Sequence, residues 1–339
     1  MRQVRLHGPH DLRLDEVELP PATERDVVVK VAAFGICGSD LHFVHQGGPG
    51  GPAKSPIPVG HEVAGVIAAL GSEVAGLQVG QRVVVDPMKG GNNIGIGSDA
   101  GGCGEFLLVR NATLGGAIHP IPDAMSFQRA VLAEPLAVGR HAIHVGGAQP
   151  GDKVVVLGAG PIGLGMVASL HYLGVKDIVA VDVVEERLQR ALALGASAVV
   201  NPARSDLKEE LGALFGVVRH PMTGQKSVGA DLFLDAAGFG PLIADAVGMA
   251  RSGARIVIVA AHKQPLPLDM NQIMTKELVV RGSICYPTEF PDVLAMLGDD
   301  QVDLTALVSH VFPVEEFEAA FKTAADGKAS AKVIVAFAA

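Results

Sequence analysis

Lys153-Val154-Val155-Val156-Leu157-Gly158-Ala159-Gly160-Pro161-Ile162-Gly163 is the stretch that decides the fold. Its first five residues read as a strand buried on both faces, because an unbroken run of valines suits the middle of a parallel sheet. Three glycines follow in G-x-G-x-x-G spacing, and an apolar helical pattern continues to about Leu173. The spacing alone is weak evidence. Here it leaves a strand and opens a helix, and Asp182 closes the next strand, 177–182, roughly 20 residues past the last glycine. Glycines allow the tight turn and let a pyrophosphate approach the helix N-terminus, where unpaired N–H groups favour an anion. Gly158, Gly160, Pro161, Ile162 and Gly163 are the expected phosphate turn. Asp182 is placed to accept from the adenosine ribose hydroxyls. With Glu185 and Glu186 it repels a 2′-phosphate, which favours NAD over NADP, and Arg187 is expected to pack on the adenine.

Downstream the alternation of strand and helix repeats. Strand patterns occur at 198–200, 230–235, 254–260 and 278–283, which makes six parallel strands in a doubly wound α/β domain. Ligands of such sheets bind beyond the strand C-termini. Residues 236–238, 260–262 and 284–286 are therefore expected at the cofactor, and Ala237, Ala260, Ile284 and Cys285 are the specific candidates.

Upstream, short strand patterns at 27–32, 63–70 and 83–85, separated by Gly and Pro, indicate an all-β, barrel-like unit. Residues 125–145 have helical spacing, and 88–104 read as a long glycine-rich surface loop. A last strand at 332–337 has no slot in a completed six-stranded sheet and is expected to return to the first domain. The expected division is 1–137 with 287–339 for the first domain and 138–286 for the second.

The first part carries the candidate metal ligands. Cys37 sits in Gly35-Ile36-Cys37-Gly38-Ser39-Asp40-Leu41-His42, polar company for a structural thiol. His61 and Glu62 stand side by side in Gly60-His61-Glu62-Val63-Ala64-Gly65. Glu134 lies in an apolar helical run, where a carboxylate needs a partner or a metal. Thiolate, imidazole and carboxylate are zinc ligands, and a catalytic zinc keeps three protein ligands and one open position. Glu62 and Glu134 compete for the third place. Cys103 has no cysteine partner nearby and reads as structural, as do His141 and His144.

Composition excludes several classes. At 339 residues, with 49% hydrophobic and 19% charged, the chain is globular and long enough for two cores. A net charge of −9 argues against nucleic acid and anionic membrane surfaces as partners. There is no signal pattern and no long apolar stretch, so neither secretion nor membrane spanning is expected. Three scattered cysteines do not make a disulfide framework, and a cytoplasmic location is the expectation.

With these motifs assembled, the whole chain resembles the zinc-dependent medium-chain alcohol dehydrogenases, and Glu134-Pro135 resembles their polyol branch: sorbitol, idonate and butanediol dehydrogenases. The resemblance implies a GroES-like β-barrel catalytic domain beside a Rossmann domain, and NAD-dependent oxidation of a secondary alcohol, polyol or sugar-derived hydroxyl. It implies that the substrate proton leaves through Ser39, then the nicotinamide ribose, to His42. It implies a homo-oligomer, a tetramer rather than a dimer, joined through the edge of the dinucleotide sheet. Relatives with a second, structural zinc carry four cysteines in the region of 87–106; this chain has only Cys103 there, so one catalytic zinc per subunit is expected. Sorbitol dehydrogenases have Tyr where Phe43 stands, which counts against sorbitol itself. Phe43, the loop 88–104, Tyr286 and Glu289 are candidate pocket residues. Two alternatives are a threonine-dehydrogenase-like enzyme and a non-catalytic NAD-binding protein with a retained metal site.

Overall fold

A computed structural model describes residues 1–220, 222–328 and 330–337. The chain forms two compact units, one of Met1–Pro135, Phe290–Asp300 and Val308–Ala339, the other of Leu136–Glu289 and Gln301–Leu307.

The first unit is built on a seven-stranded sheet. The strands Val308–Pro313, Lys332–Ala336, Val27–Ile36, Glu62–Leu70, Arg82–Val85 and Ile118–Pro120 lie in that order, and Phe106–Val109 pairs with the start of Val27–Ile36. A second sheet sets Arg2–Gly8 between Asp11–Glu16 and Ile57–Pro58. The C-terminal strand does return to this unit: Val333 pairs antiparallel with Ile36.

Strand Val27–Ile36 is the shared wall of two cores. Val27, Val29 and Val31 face a cluster with Val63, Ile67, Val85 and Ile118. Phe34 and Ile36 face another, with Leu6, Val59, Phe321 and Val333. Odd positions up to Val31 serve the first core and even positions from Phe34 the second, and the ladder to Glu62–Leu70 slips between them, at Val31 and Ala33. A bulge of this kind adds one residue to one strand of the pair and bends it locally.

The loop 88–104 is not a free surface loop. Ile94 is fully buried in the first of these cores. Gly102 N donates to Gly60 O and Cys103 N to Val59 O, at 2.8 and 3.0 Å. A Cβ on Gly95 would stand 2.1 Å from Gly60 O, so the two backbones touch and only glycine fits. Its glycines serve close packing, which their sequence pattern does not distinguish from looseness. The helical run at 125–145 is also two helices, Phe127–Ala130, capped by Ser126, and Ala133–Gly146, with Pro135 in the first turn where its missing N–H is tolerated.

The second unit is a six-stranded parallel sheet in the order Ala198–Val200, Asp177–Val181, Lys153–Leu157, Leu232–Asp235, Arg255–Ile258, Val279–Gly282. The direction of strand order reverses beside Lys153–Leu157, as in doubly wound dinucleotide folds. Helix Pro161–Tyr172 is buried from Gly163 to Leu170, which explains its lack of a polar face. An antiparallel hairpin, Val217–Arg219 with Lys226–Val228, interrupts the alternation before Leu232–Asp235. Among the described residues no helix is long and apolar enough to cross a membrane.

Candidate metal centre

Sheet register brings the site together. Lys332 opens its strand, Ile36 closes the neighbouring one, and Glu62 opens the third, opposite Gly35. Three residues distant in sequence therefore share one edge of the sheet. Cys37 follows Ile36 directly, in extended conformation, as the N-cap of helix Gly38–Gln46. Donor atoms of Cys37, His61 and Glu62 all lie within 4.8 Å of one another. His61 and Glu62 are buried and Cys37 is half-buried.

Asp40 holds the backbone at Cys37 and next to His61. It is fully buried; Oδ2 accepts from Cys37 N at 2.8 Å and Oδ1 from Gly60 N at 3.2 Å. His61 Nδ1 is 3.6 Å from Asp40 Oδ1, beyond hydrogen-bond reach, and has no other partner. Burial disfavours a charge on His61, but the Asp40 carboxylate and Cys37 outweigh it and hold the imidazole well above its ordinary pKa. Gly60, at φ +96°, packs flat on the Phe34 ring, where a Cβ would lie 2.5 Å from a ring carbon.

Glu62 is fully buried and has a partner that sequence reading missed. Lys332 Nζ donates to Glu62 Oε1 at 2.5 Å and to Ile36 O at 3.0 Å. Burial opposes the ammonium, and Glu62, then Cys37, raise its pKa in spite of that. Glu62 Oε2 is buried without a hydrogen-bond partner. The donor set passes a simple test for a divalent cation: soft and borderline ligands converge, and a buried acceptor, Glu62 Oε2, lacks a protein donor.

Glu134 is buried at the start of helix Ala133–Gly146, outside the 4.8 Å group, yet near enough to raise the pKa of Lys332. Ser39 is half-buried and His42 exposed on the helix that Cys37 caps.

In the second unit the glycine turn faces a cavity of about 350 Å³ lined by Gly158, Gly160, Asp182, Arg187, Ala237 and Phe239, among others. Gly158 has φ +94°, and a Cβ there would strike the Ala237 backbone at 2.8 Å. In front of Gly160 the space is open: a Cβ would meet only Arg187 Nη1, at 4.0 Å. Packing does not account for that glycine. Asp182 Oδ2 accepts from Ala159 N at 2.8 Å and Oδ1 from Val184 N at 2.9 Å, with Arg187 Nη1 3.5 Å away.

Comparison with known proteins agrees with this geometry. Residues 23–123 match the family model for the alcohol dehydrogenase GroES-like domain, and 161–299 that for zinc-binding dehydrogenases. An alcohol dehydrogenase from Escherichia coli CFT073, solved with NADH, is 30% identical, superposes with a TM-score of 0.87 and shares 99% coverage of both chains. The chain belongs to the zinc-dependent medium-chain alcohol dehydrogenase family.

Within the family this dehydrogenase falls in the polyol dehydrogenase-like branch. Sorbitol dehydrogenase of Bacillus subtilis is 29% identical, over 96% of this chain and 93% of its own. The structure of 2R,3R-butanediol dehydrogenase from the same species is 29% identical, with a TM-score of 0.85 and 99% coverage of both chains.

The remaining sequence candidates sit as follows in the dehydrogenase. Pro161 and Ile162 begin their helix half-buried, and Gly163 is buried against Gly158 O. Ala260, Ile284 and Cys285 are not among the residues that line the cavity; Ile284 is 82% exposed and Cys285 has φ +55°. Phe43 packs half-buried against the core of Phe34 and Val333. Tyr286 is buried, and so is Glu289, which accepts from His141 Nδ1 at 2.9 Å and His144 Nδ1 at 3.1 Å. Cys103 is buried, and all three cysteines are free thiols. Asp40 was legible as the acid three residues after Cys37, the spacing of a capping carboxylate. Lys332 gave no such signal.

Proposed function

We propose that the dehydrogenase interconverts a secondary alcohol or polyol hydroxyl and its ketone, with NAD as hydride carrier and one zinc per subunit held by Cys37, His61 and Glu62. The convergence of those three donors within 4.8 Å carries the reading. Bound zinc supplies a Lewis acid that acidifies the substrate hydroxyl, and the nicotinamide accepts the hydride. Asp40 fixes the backbone on either side of the site, and Lys332 holds Glu62 Oε1 so that Oε2 is left for the metal. Glu134 is the carboxylate that holds the water or the substrate hydroxyl. Ser39 Oγ would take the hydroxyl proton, and the exposed His42 imidazole would release it to solvent.

NAD rather than NADP is supported by Asp182, because a carboxylate closing the second strand repels a 2′-phosphate. The sorbitol and butanediol dehydrogenase relatives support vicinal diols and polyols as the substrate class. Exposure of the whole edge strand Val279–Gly282 supports a homo-oligomer joined through this edge. No second, structural zinc is proposed. The test pairs zinc content with NAD reduction over a panel of diols, sugar alcohols, aldonates and threonine. Glu62→Gln should lose metal, whereas Glu134→Gln should keep metal and lose turnover. A Cys37→Ser enzyme that lacks zinc and still turns over would sink the proposal.

A further inference from the structure

Strand Leu232–Asp235 ends in a fully buried carboxylate. Asp235 Oδ1 accepts the amides of Ala237 and Gly238, both at 3.1 Å, and Oδ2 lies 2.7 Å from His262 Nε2. His262 follows the adjacent strand Arg255–Ile258, and its side chain is 14% exposed. The two turns are packed together: a Cβ on Gly238 would lie 2.8 Å from Ala261 O. Both turns stand at the C-terminal edge of the sheet, and Ala236 and Ala237 line the same cavity as Gly158 and Asp182.

The protonation pattern of this pair follows from its geometry. The Asp235 carboxylate accepts, so Nε2 of His262 carries a proton, and in the neutral ring Nδ1 presents a lone pair. Among the described residues Nδ1 has no protein partner, and it is not sealed from solvent. Asp235 by contrast has both oxygens engaged inside the protein. The location assigns the ligand. A dinucleotide crosses the point where strand order reverses, its adenosine on the half that carries Asp182 and its nicotinamide on the half that starts with Leu232–Asp235.

We propose that His262 binds the nicotinamide half of the dinucleotide, accepting at Nδ1 a hydrogen bond from the second ribose or from the carboxamide, and that Asp235 is the residue that positions it. This rests on reading Gly158–Gly163 as a dinucleotide turn, so the test separates the two. Dissociation constants for AMP, ADP-ribose and NADH are measured by calorimetry on the full-length protein and on His262→Ala and His262→Gln. In His262→Gln the amide N–H replaces Nε2 on Asp235, so the fold is held while the acceptor at Nδ1 is gone.

Both variants should bind AMP as the parent does and NADH about five- to tenfold more weakly, the loss of one hydrogen bond. A matching loss with ADP-ribose identifies the ribose as the partner; loss with NADH alone identifies the carboxamide. Equal weakening of AMP and NADH, or unchanged NADH affinity in either variant, overturns the proposal. A parent protein that binds neither AMP nor NADH overturns the dinucleotide reading itself.

Discussion

Lys332 Nζ donates to Glu62 Oε1 across 2.5 Å in a place where neither side chain meets water. The pair joins two residues 270 positions apart and stands beside Cys37. Removing one member of a buried pair strands the other charge, at a cost of about 3–5 kcal/mol. Lys332→Met should therefore lower stability by that order in urea unfolding. The double change Glu62→Gln with Lys332→Met should recover most of the loss, since no charge is then left unpaired.

Asp40 makes a different prediction, on the metal rather than the fold. It accepts from the amides of Cys37 and Gly60, the residues at and next to two proposed ligands. Groups that orient ligands are worth about 10- to 100-fold in metal affinity. Asp40→Ala should weaken zinc by that factor in competition with a chromophoric chelator. Unchanged zinc affinity would show that the amides hold their places without the carboxylate.

The contact of Gly95 with Gly60 can be tested by one methyl group. Gly95 has φ +66°, and a Cβ would overlap Gly60 O and C. Gly95→Ala should lower stability by about 2 kcal/mol or more, from backbone strain and the clash together. Gly50→Ala, where nothing lies within 4 Å, is the matched control and should melt with the parent.

Glu289 gives a pH prediction with a definite sign. Burial opposes its charge, but Thr288 N and the rings of His141 and His144 lower its pKa from 4.5 to about 2. A carboxyl depressed in the folded state contributes stability that is complete above its unfolded pKa and lost as pH falls through the folded value. The stability gap between parent and Glu289→Gln should be constant near neutrality, on the order of 3 kcal/mol at most, and should close between about pH 4.5 and 2. Urea titrations at stepped pH measure it.

Much of the architecture could be read from local pattern. The valine strand, the glycine turn and Asp182 specify the doubly wound unit because turn chemistry, burial and acid all act over short range. Cys37 and the His61–Glu62 pair were legible because their residue types fit poorly in a core. Lys332 was not, because it meets Glu62 only through sheet register, and nothing near it in the chain differs from an ordinary strand start. Asp235 with His262, and Glu289 with His141 and His144, escape for the same reason: each pairing is made between elements. The loop 88–104 misled because glycine marks both slackness and close approach, and only the opposing backbone tells which.

The slipped register between Val31 and Ala33 limits how this chain can vary in length. Before the slip, odd-numbered side chains enter one core; after it, even-numbered ones enter the other. Delete a single residue between the slip and Cys37, and the thiol would exchange sides with its neighbour and turn away from His61. Substitutions along this strand are matters of size, but insertions and deletions there are matters of phase, and the proposed metal ligand at its end is where a phase error would first be felt.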